Sequence, residues 1–116
     1  SGDNIFIVKD GQLHTPPTDA GILEGITRAF VARELAPMLG LNCVERDLTL
    51  DDVLSADEVF LTGTAAEIIG VTQIDRHDGQ GTITASTRIS DGEGATTRSL
   101  RMKFREIVTG DAIPEN

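Results

Sequence analysis

The chain has 116 residues, of which 39% are hydrophobic, 25% charged and 3% aromatic, and its formal net charge is −9. This length suits one soluble globular domain with a modest aliphatic core, and no apolar run resembles a membrane span or a signal peptide. The acidic balance and the few aromatics argue against nucleic acid or an anionic membrane as a partner, and the single cysteine, Cys43, suits a reducing cytoplasm.

The first residues predict a β-hairpin. Asn4 to Lys9 alternates in part between apolar and polar residues, and Asp10-Gly11 is a strong turn signal before Gln12-Leu13-His14. Thr15-Pro16-Pro17-Thr18 follows as an extended connection, because a proline disfavours helix in the residue before it.

A helix is predicted next, from Ile22 through Leu39. Its apolar residues recur at helical spacing, and Gly40 is a plausible C′ residue. Because Pro37 lies inside this pattern, we expect the last turn to be kinked, or the helix to end early near Ala36.

The middle of the chain predicts three strands and one short helix. Asn42 to Asp47 indicates a short strand, and Thr49-Leu50-Asp51-Asp52 is typical of a helix cap before a short helix that reaches about Ser55. The next strand is predicted from Glu58 to Thr62. The β-branched run from Ile68 to Ile74 predicts a buried strand.

The last third predicts a hairpin and a helix. Residues 75–94 are rich in Gly, Asp, Ser and Thr, with possible short strands at Thr82-Ile83-Thr84 and Thr87-Arg88-Ile89, so we expect a hairpin or a mobile loop. From Ala95 to Val108 apolar residues again fall at helical spacing. The tail from Gly110 to Asn116 is expected to fray.

Two segments rich in small residues are candidate anion sites. Gly63-Thr64-Ala65-Ala66 follows a strand, and such a turn brings backbone N–H groups close to a ligand. Gly25-Ile26-Thr27 stands where the helix begins, and a helix N-terminus offers free N–H donors to a phosphate. Together they suggest a ligand with a phosphate and a carboxylate, although each segment alone also fits an ordinary turn or helix start.

Several segments in one order resemble the fold-type IV aminotransferases that use pyridoxal phosphate, most closely the branched-chain amino acid aminotransferases. The resemblance covers the chain well to about Ile74 and loosely beyond it. It is carried by Gly2-Asp3-Asn4-Ile5-Phe6-Ile7-Val8-Lys9-Asp10-Gly11, Thr15-Pro16-Pro17, Ile22-Leu23-Glu24-Gly25-Ile26-Thr27-Arg28, Val44-Glu45-Arg46 and Ala56-Asp57-Glu58-Val59-Phe60. It implies an α/β fold: one domain like the C-terminal pseudo-barrel domain of that family, with mixed strands and two main helices.

The resemblance also implies pyridoxal 5′-phosphate as the cofactor of the complete enzyme and a role for each site residue. The cofactor-binding residues would be Leu23, Gly25, Ile26, Thr27, Gly63 and Thr64. In the family the glycine-rich backbone and the threonine hydroxyls hold the phosphate, and the residue at Leu23 packs against the pyridine ring. The substrate carboxylate would be received by the backbone N–H groups of Thr64 and Ala65. Cofactors of this kind supply the chemistry, and the protein orients them.

The family's Schiff-base lysine lies upstream of the segment where this sequence begins. The chain is therefore interpreted as a fragment of the enzyme, in which residues 1–116 form the C-terminal, cofactor-binding domain. Lys9 and Lys103 are the only lysines and neither matches the catalytic position, so no catalytic residue is assigned and the fragment is expected to be inactive alone. His14 and His77 stand apart without metal-ligand spacing, so no metal site is predicted.

In the complete enzyme the resemblance implies amino transfer from leucine, isoleucine or valine to 2-oxoglutarate, by a cytoplasmic homodimer acting on amino acids and 2-oxo acids. Three alternatives stay open. Two belong to the same family, aminodeoxychorismate lyase and D-amino acid aminotransferase, and the third is a non-catalytic binding domain on the same scaffold.

Overall fold

The structure is a computed structural model that describes residues 3–18, 25–63 and 67–110. Its central element is a five-stranded sheet in the order β3-β2-β1-β4-β5, and a separate two-stranded sheet pairs β6 with β7. Across the described residues the five-stranded sheet is open and does not close into a barrel. The mixed α/β class and the two main helical segments expected from the sequence are confirmed.

Strands β1 (Asn4–Lys9) and β2 (Gln12–Thr15) form the predicted hairpin. Lys9 pairs with Gln12, and the two turn residues between them, Asp10 and Gly11, have φ of 53° and 77°. Positive φ at both central positions is the turn geometry that matches the twist of the flanking strands, which explains the aspartate–glycine pair.

The predicted long helix is present from residue 26, as α1 (Ile26–Phe30), a π-helical stretch (Val31–Leu35) and α2 (Ala36–Met38). We call residues 26–38 the first helical segment. Pro37 cannot donate a backbone hydrogen bond and crowds the preceding turn, and the wide π turn accommodates it. The segment ends at Met38 with Gly40 at φ 73°, as predicted. The predicted beginning, residues 22–24, lies outside the described residues.

A parallel connection follows. Strand β3 (Cys43–Glu45) pairs with β2 in parallel, shorter than the predicted Asn42–Asp47. Helix α3 (Leu50–Leu54) begins at the predicted cap, because the hydroxyl of Thr49 accepts from the N–H of Asp52 and the Asp52 carboxylate accepts from the N–H of Thr49. Strand β4 (Glu58–Thr62) has the predicted bounds and pairs antiparallel with β1.

The prediction of one buried strand from Ile68 to Ile74 is wrong. The structure has β5 (Ile68–Val71) and β6 (Gln73–His77), which belong to different sheets. Thr72 separates them, and its carbonyl accepts from the N–H groups of Ile89 and Ser90. Only Ile68 is buried, because β5 is an edge strand of the described sheet and presents Ile69 to solvent.

Strand β7 (Ile83–Arg88) completes an exposed hairpin with β6 and replaces the two short strands predicted there. Of the two predicted possibilities, the hairpin is the one observed. Its turn is organised by the Asp78 carboxylate, which accepts from the N–H groups of Gln80 and Thr82 at 2.8 and 2.9 Å. This arrangement is a side-chain mimic of a backbone turn.

Helix α4 (Ala95–Thr109) is the second main helix and ends one residue beyond the predicted Val108. Gly110 follows in the left-handed region at φ 80°, where glycine carries no Cβ penalty. The tail that the sequence predicts to fray, beyond Gly110, lies outside the described residues. No helix in the described ranges has both the length and the apolar character needed to cross a membrane.

The sheet separates two apolar clusters. On one face Phe6 stacks on its cross-strand partner Phe60, with ring centroids 4.9 Å apart, beneath the first helical segment and α4. On the other face Ile7 and Val59 pack with Ala56 against α3 and the segment before it. Because both faces are covered, β1 and β4 are the rigid centre on which the candidate site is built.

Candidate functional site

The two predicted anion-binding segments converge on the first residues of β1. Asn4 is the register partner of Thr62, the last residue of β4, so Gly63 leaves the sheet beside the start of β1. A methyl group added to Gly63 would lie 2.8 Å from Oδ1 of Asp3. One added to Gly25 would lie 2.8 Å from Oδ1 of Asn4. Both segments therefore lie against consecutive residues at the start of one strand.

The first turn of α1 presents backbone donors. Gly25 is the N-cap residue in an extended conformation and supplies no side-chain cap, and the first helical hydrogen bond runs from Ala29 N–H to Gly25 C=O at 3.0 Å. An α-helix leaves the N–H groups of its first residues, here Ile26 and Thr27, pointing out of its end. Ile26 is 88% exposed, whereas the Thr27 side chain is buried. Among the described residues no N-cap side chain covers this electropositive end, which fits an anion.

Thr62 adds a polar group that the sequence did not single out. Its side chain is buried, and within the described residues its hydroxyl oxygen has no hydrogen-bond partner. Buried hydroxyls are usually paired, so an unpaired one beside Gly63 is consistent with a ligand group at this end of the sheet. The helix N-terminus and this hydroxyl fit a phosphate-bearing group such as pyridoxal phosphate, and Gly25 and Gly63 leave room for the side chains of Asn4 and Asp3.

Of the predicted site residues, Gly25, Ile26, Thr27 and Gly63 are described, and the structure brings their two segments to one end of β1. The other three, Leu23, Thr64 and Ala65, lie outside the described residues and stay predictions. Sequence reasoning missed Asp3, Asn4 and Thr62, because their proximity follows from strand register, which no local pattern reveals.

Arg28, immediately after the predicted segment, was also missed. It is buried, and its Nη2 donates at 2.8 Å to both the Pro16 carbonyl and the Glu45 carboxylate. A burial this complete is unusual for arginine and requires partners. Beside this pair lies the Cys43 thiol, whose pKa is raised by burial. Cys43 is therefore a protonated packing residue at neutral pH.

Neither lysine of the chain belongs to this end of the sheet. Lys9 is the last residue of β1, five residues or about 17 Å along the strand from Asn4, and its ammonium group donates to the Ser55 carbonyl. Lys103 lies on α4, where Nζ is 3.9 Å from the Glu106 carboxylate. The described residues also contain no cluster of three acidic, histidine or cysteine side chains able to hold a metal.

A groove of about 460 Å³ lies elsewhere, between β5 and α4. Its walls include Ile68, Gly70, Arg101 and Phe104, and none of the four predicted site residues that the structure describes lines it. Arg101 is held by a two-pronged ion pair with Glu93, which lowers the Glu93 pKa. We therefore assign the candidate site to the end of the sheet where β1 begins, because the Gly25 and Gly63 segments and the Thr62 hydroxyl lie there.

Comparison with known proteins identifies the family to which the chain belongs. Residues 1–74 match the amino-transferase class IV family model, and the chain belongs to that family. A putative branched-chain-amino-acid aminotransferase of Methanocaldococcus jannaschii is 47% identical over 109 residues, which are 94% of this chain and 34% of that protein. The chain thus spans about a third of the length of the curated relatives it matches.

Solved structures agree. The branched-chain amino acid aminotransferase from Thermobaculum terrenum in its PLP form matches with a TM-score of 0.72 at 41% identity, covering 94% of this chain and 33% of that one. A T.th. branched-chain amino acid aminotransferase complexed with N-(5′-phosphopyridoxyl)-L-glutamate matches with a TM-score of 0.74 at 37% identity, again over 94% and 33%. The fold is that of this family.

Proposed function

We propose that residues 1–116 are the C-terminal, cofactor-binding domain of a pyridoxal-phosphate-dependent branched-chain amino acid aminotransferase. The observation that carries the proposal is the convergence of the Gly25 and Gly63 segments on Asp3 and Asn4, in a chain of the class IV family. The whole protein is proposed to be a cytoplasmic homodimer that moves the amino group of leucine, isoleucine or valine to 2-oxoglutarate.

Each site residue has a proposed part in holding the cofactor. The backbone N–H groups of Ile26 and Thr27 and the hydroxyls of Thr27 and Thr64 bind the phosphate, with Gly25 and Gly63 allowing the close approach. Leu23 packs against the pyridine ring. The bound cofactor supplies the electron sink for amino transfer, and the protein orients it. Support comes from the helix N-terminus, where Gly25 supplies no side-chain cap, and from the buried Thr62 hydroxyl.

The substrate carboxylate is proposed to lie on the backbone N–H groups of Thr64 and Ala65, next to the phosphate site. A turn of small residues after a strand presents consecutive N–H donors to an anion. The related T.th. enzyme is complexed with a phosphopyridoxyl derivative of glutamate, which supports glutamate and 2-oxoglutarate as one substrate pair. The remaining groups of the substrate site belong to the rest of the enzyme.

We propose further that the 116-residue chain has no transaminase activity by itself. Lys9 lies at the far end of β1 from the site, and Lys103 lies on α4. A lysine that carries the cofactor must reach its reactive carbon while the phosphate is held, so both residues are unsuited.

The experiment uses the full-length protein that carries this chain, with pyridoxal phosphate, leucine and 2-oxoglutarate, and measures glutamate. We expect leucine-dependent glutamate formation by the full-length protein and none by residues 1–116 alone. Turnover of D-alanine but not leucine would replace the proposal with a D-amino acid aminotransferase. Release of an aromatic amine from aminodeoxychorismate would replace it with the lyase, and no cofactor binding at all would leave a non-catalytic domain.

A further inference from the structure

Among the described residues, Arg28 is the most deeply buried charged side chain, and the proposed function does not use it. Its relative exposure is 1%, although arginine is mostly exposed in folded proteins. Its Nη2 group carries two hydrogens, and each has an acceptor at 2.8 Å: the Pro16 carbonyl oxygen and Oε2 of Glu45. The arginine thus joins its own helix turn to two other segments, giving three segments that meet at this side chain.

Strand register places these three segments at the end of the sheet where β1 begins, as it does the candidate site. Pro16 follows β2, Glu45 ends β3, and Arg28 itself lies in the first turn of α1, one residue after Thr27. The connection is anchored in turn, because the Thr15 hydroxyl donates to the Ile5 carbonyl at 2.7 Å. The first turn of the helix is therefore tied to the sheet through a chain of partly buried hydrogen bonds.

The link is directional as well as strong. Hydrogen bonds that involve an ionised group are shorter and stronger than neutral ones, and a buried guanidinium keeps its orientation because its partners are fixed. The N-cap residue Gly25 provides no side-chain cap that could orient the turn. Contacts outside the N-cap residue therefore contribute to the orientation of this turn, and Arg28 supplies two of them, to Pro16 just after β2 and to Glu45 of β3.

We propose that Arg28 is a positioning residue: its bonds to Pro16 and Glu45 hold the first turn of α1 so that the N–H groups of Ile26 and Thr27 point at the cofactor phosphate. The inference rests on the proposed function, since it needs a phosphate at this helix N-terminus. Arg28 touches neither the phosphate nor the reacting atoms in this account, and it acts through the backbone.

The effect of Glu45→Gln on phosphate affinity distinguishes a positioning role of Arg28 from a purely electrostatic one, because the two roles predict opposite changes. If Arg28 served only as positive charge near the phosphate, removing the Glu45 charge would leave that cation less neutralised and tighten phosphate binding. If Arg28 acts by position, Glu45→Gln weakens the anchor and loosens phosphate binding. The Glu45 side chain is 47% exposed, so this substitution preserves the fold better than any change at Arg28.

The experiment measures dissociation constants of the full-length protein for pyridoxal phosphate and for pyridoxal, which lacks the phosphate. Arg28→Met, Arg28→Lys and Glu45→Gln are compared with the wild type and with the control Arg105→Met, an exposed arginine of α4. Amide hydrogen exchange of residues 25–30 is compared with that of residues 95–109, so that a local change is separated from global destabilisation.

We expect Arg28→Met to weaken pyridoxal phosphate binding about tenfold and Glu45→Gln about threefold, with pyridoxal affinity nearly unchanged and Arg28→Lys intermediate. Exchange should quicken in residues 25–30 and not in α4. Tighter binding in Glu45→Gln, equal losses for both ligands, or affinities like those of Arg105→Met would overturn the positioning role alone. A wild-type protein that binds no pyridoxal phosphate would overturn the proposed function as well.

Discussion

Substituting Glu58 tests how α4 is attached to the sheet. Glu58 is the first residue of β4, and its carboxylate accepts three hydrogen bonds from the beginning of α4: from Thr96 N at 3.1 Å, and from Thr97 N and Oγ1 at 2.7 Å each. Glu58 thus supplies from a strand the negative charge and acceptors that a helix N-terminus favours.

The expected loss follows from these contacts. Glu58→Gln replaces one acceptor oxygen by a donor, which removes the bond to Thr96 and the charge that strengthens the other two. A hydrogen bond to a charged group contributes about 1.5–3 kcal/mol, so we expect the free energy of unfolding to fall by about 2 kcal/mol. The control is Glu106→Gln, whose ion pair with Lys103 is 3.9 Å long and exposed, with an expected change below about 0.5 kcal/mol.

Gly94→Ala is a second substitution that disrupts the contact between Glu58 and the beginning of α4. A methyl group on Gly94 would overlap the Glu58 side chain, although the backbone at Gly94 suits any residue. The alanine should displace the carboxylate, so its cost should combine with that of Glu58→Gln to less than the sum. Urea unfolding followed by circular dichroism is suitable, because the chain has no Trp or Tyr for fluorescence. Equal stabilities of Glu58→Gln and Glu106→Gln, or fully additive losses, would refute the reasoning.

Three further predictions concern single residues. Hydrogen bonds from the Thr49 N–H and from Arg46 hold the pKa of Asp52 below its usual 3.8, so the stability that Asp52 contributes is present above pH 3.8 and is lost as the pH falls through the lower folded pKa. Asp52→Asn should therefore flatten the dependence of the free energy of unfolding on pH between about pH 5 and 2. An unchanged slope would contradict this. Burial raises the pKa of Cys43, so iodoacetamide should alkylate the folded chain at pH 8 more slowly than the urea-unfolded chain, and equal rates would mean an open thiol. In the full-length protein, Thr64→Val should weaken pyridoxal phosphate binding by roughly tenfold to a hundredfold while Thr84→Val in the exposed hairpin has no effect, and equal affinities would make Thr64 a turn residue only.

Local sequence signals predicted the elements that are set by local chemistry. The Asp10-Gly11 turn, the Thr49 cap of α3 and the Gly40 end of the first helical segment are each fixed by conformational preferences of one to four residues. These features were confirmed because the same preferences operate in the folded chain. The bounds of β4 were also correct, since its apolar run is framed by polar residues.

Features that depend on distant contacts were not predictable in this way. The run from Ile68 to Ile74 looks like one buried strand, yet its membership in two sheets is decided by the pairing of Thr72 with Ile89 and Ser90. The burial of Arg28 depends on Pro16 and Glu45, twelve and seventeen positions away. The candidate site was predictable in part. Small residues indicated its two segments, but the convergence of these segments on Asp3 and Asn4 follows from strand register.

The Gly25 and Gly63 segments are proposed to form the phosphate half of a cofactor site. The most direct measurement is a crystal structure of the full-length protein grown with pyridoxal phosphate, in which the phosphate position is read from the electron density. We expect the phosphate within hydrogen-bond distance of the N–H groups of Ile26 and Thr27 and of the Thr64 hydroxyl. A phosphate bound elsewhere, such as in the groove between β5 and α4, would contradict it.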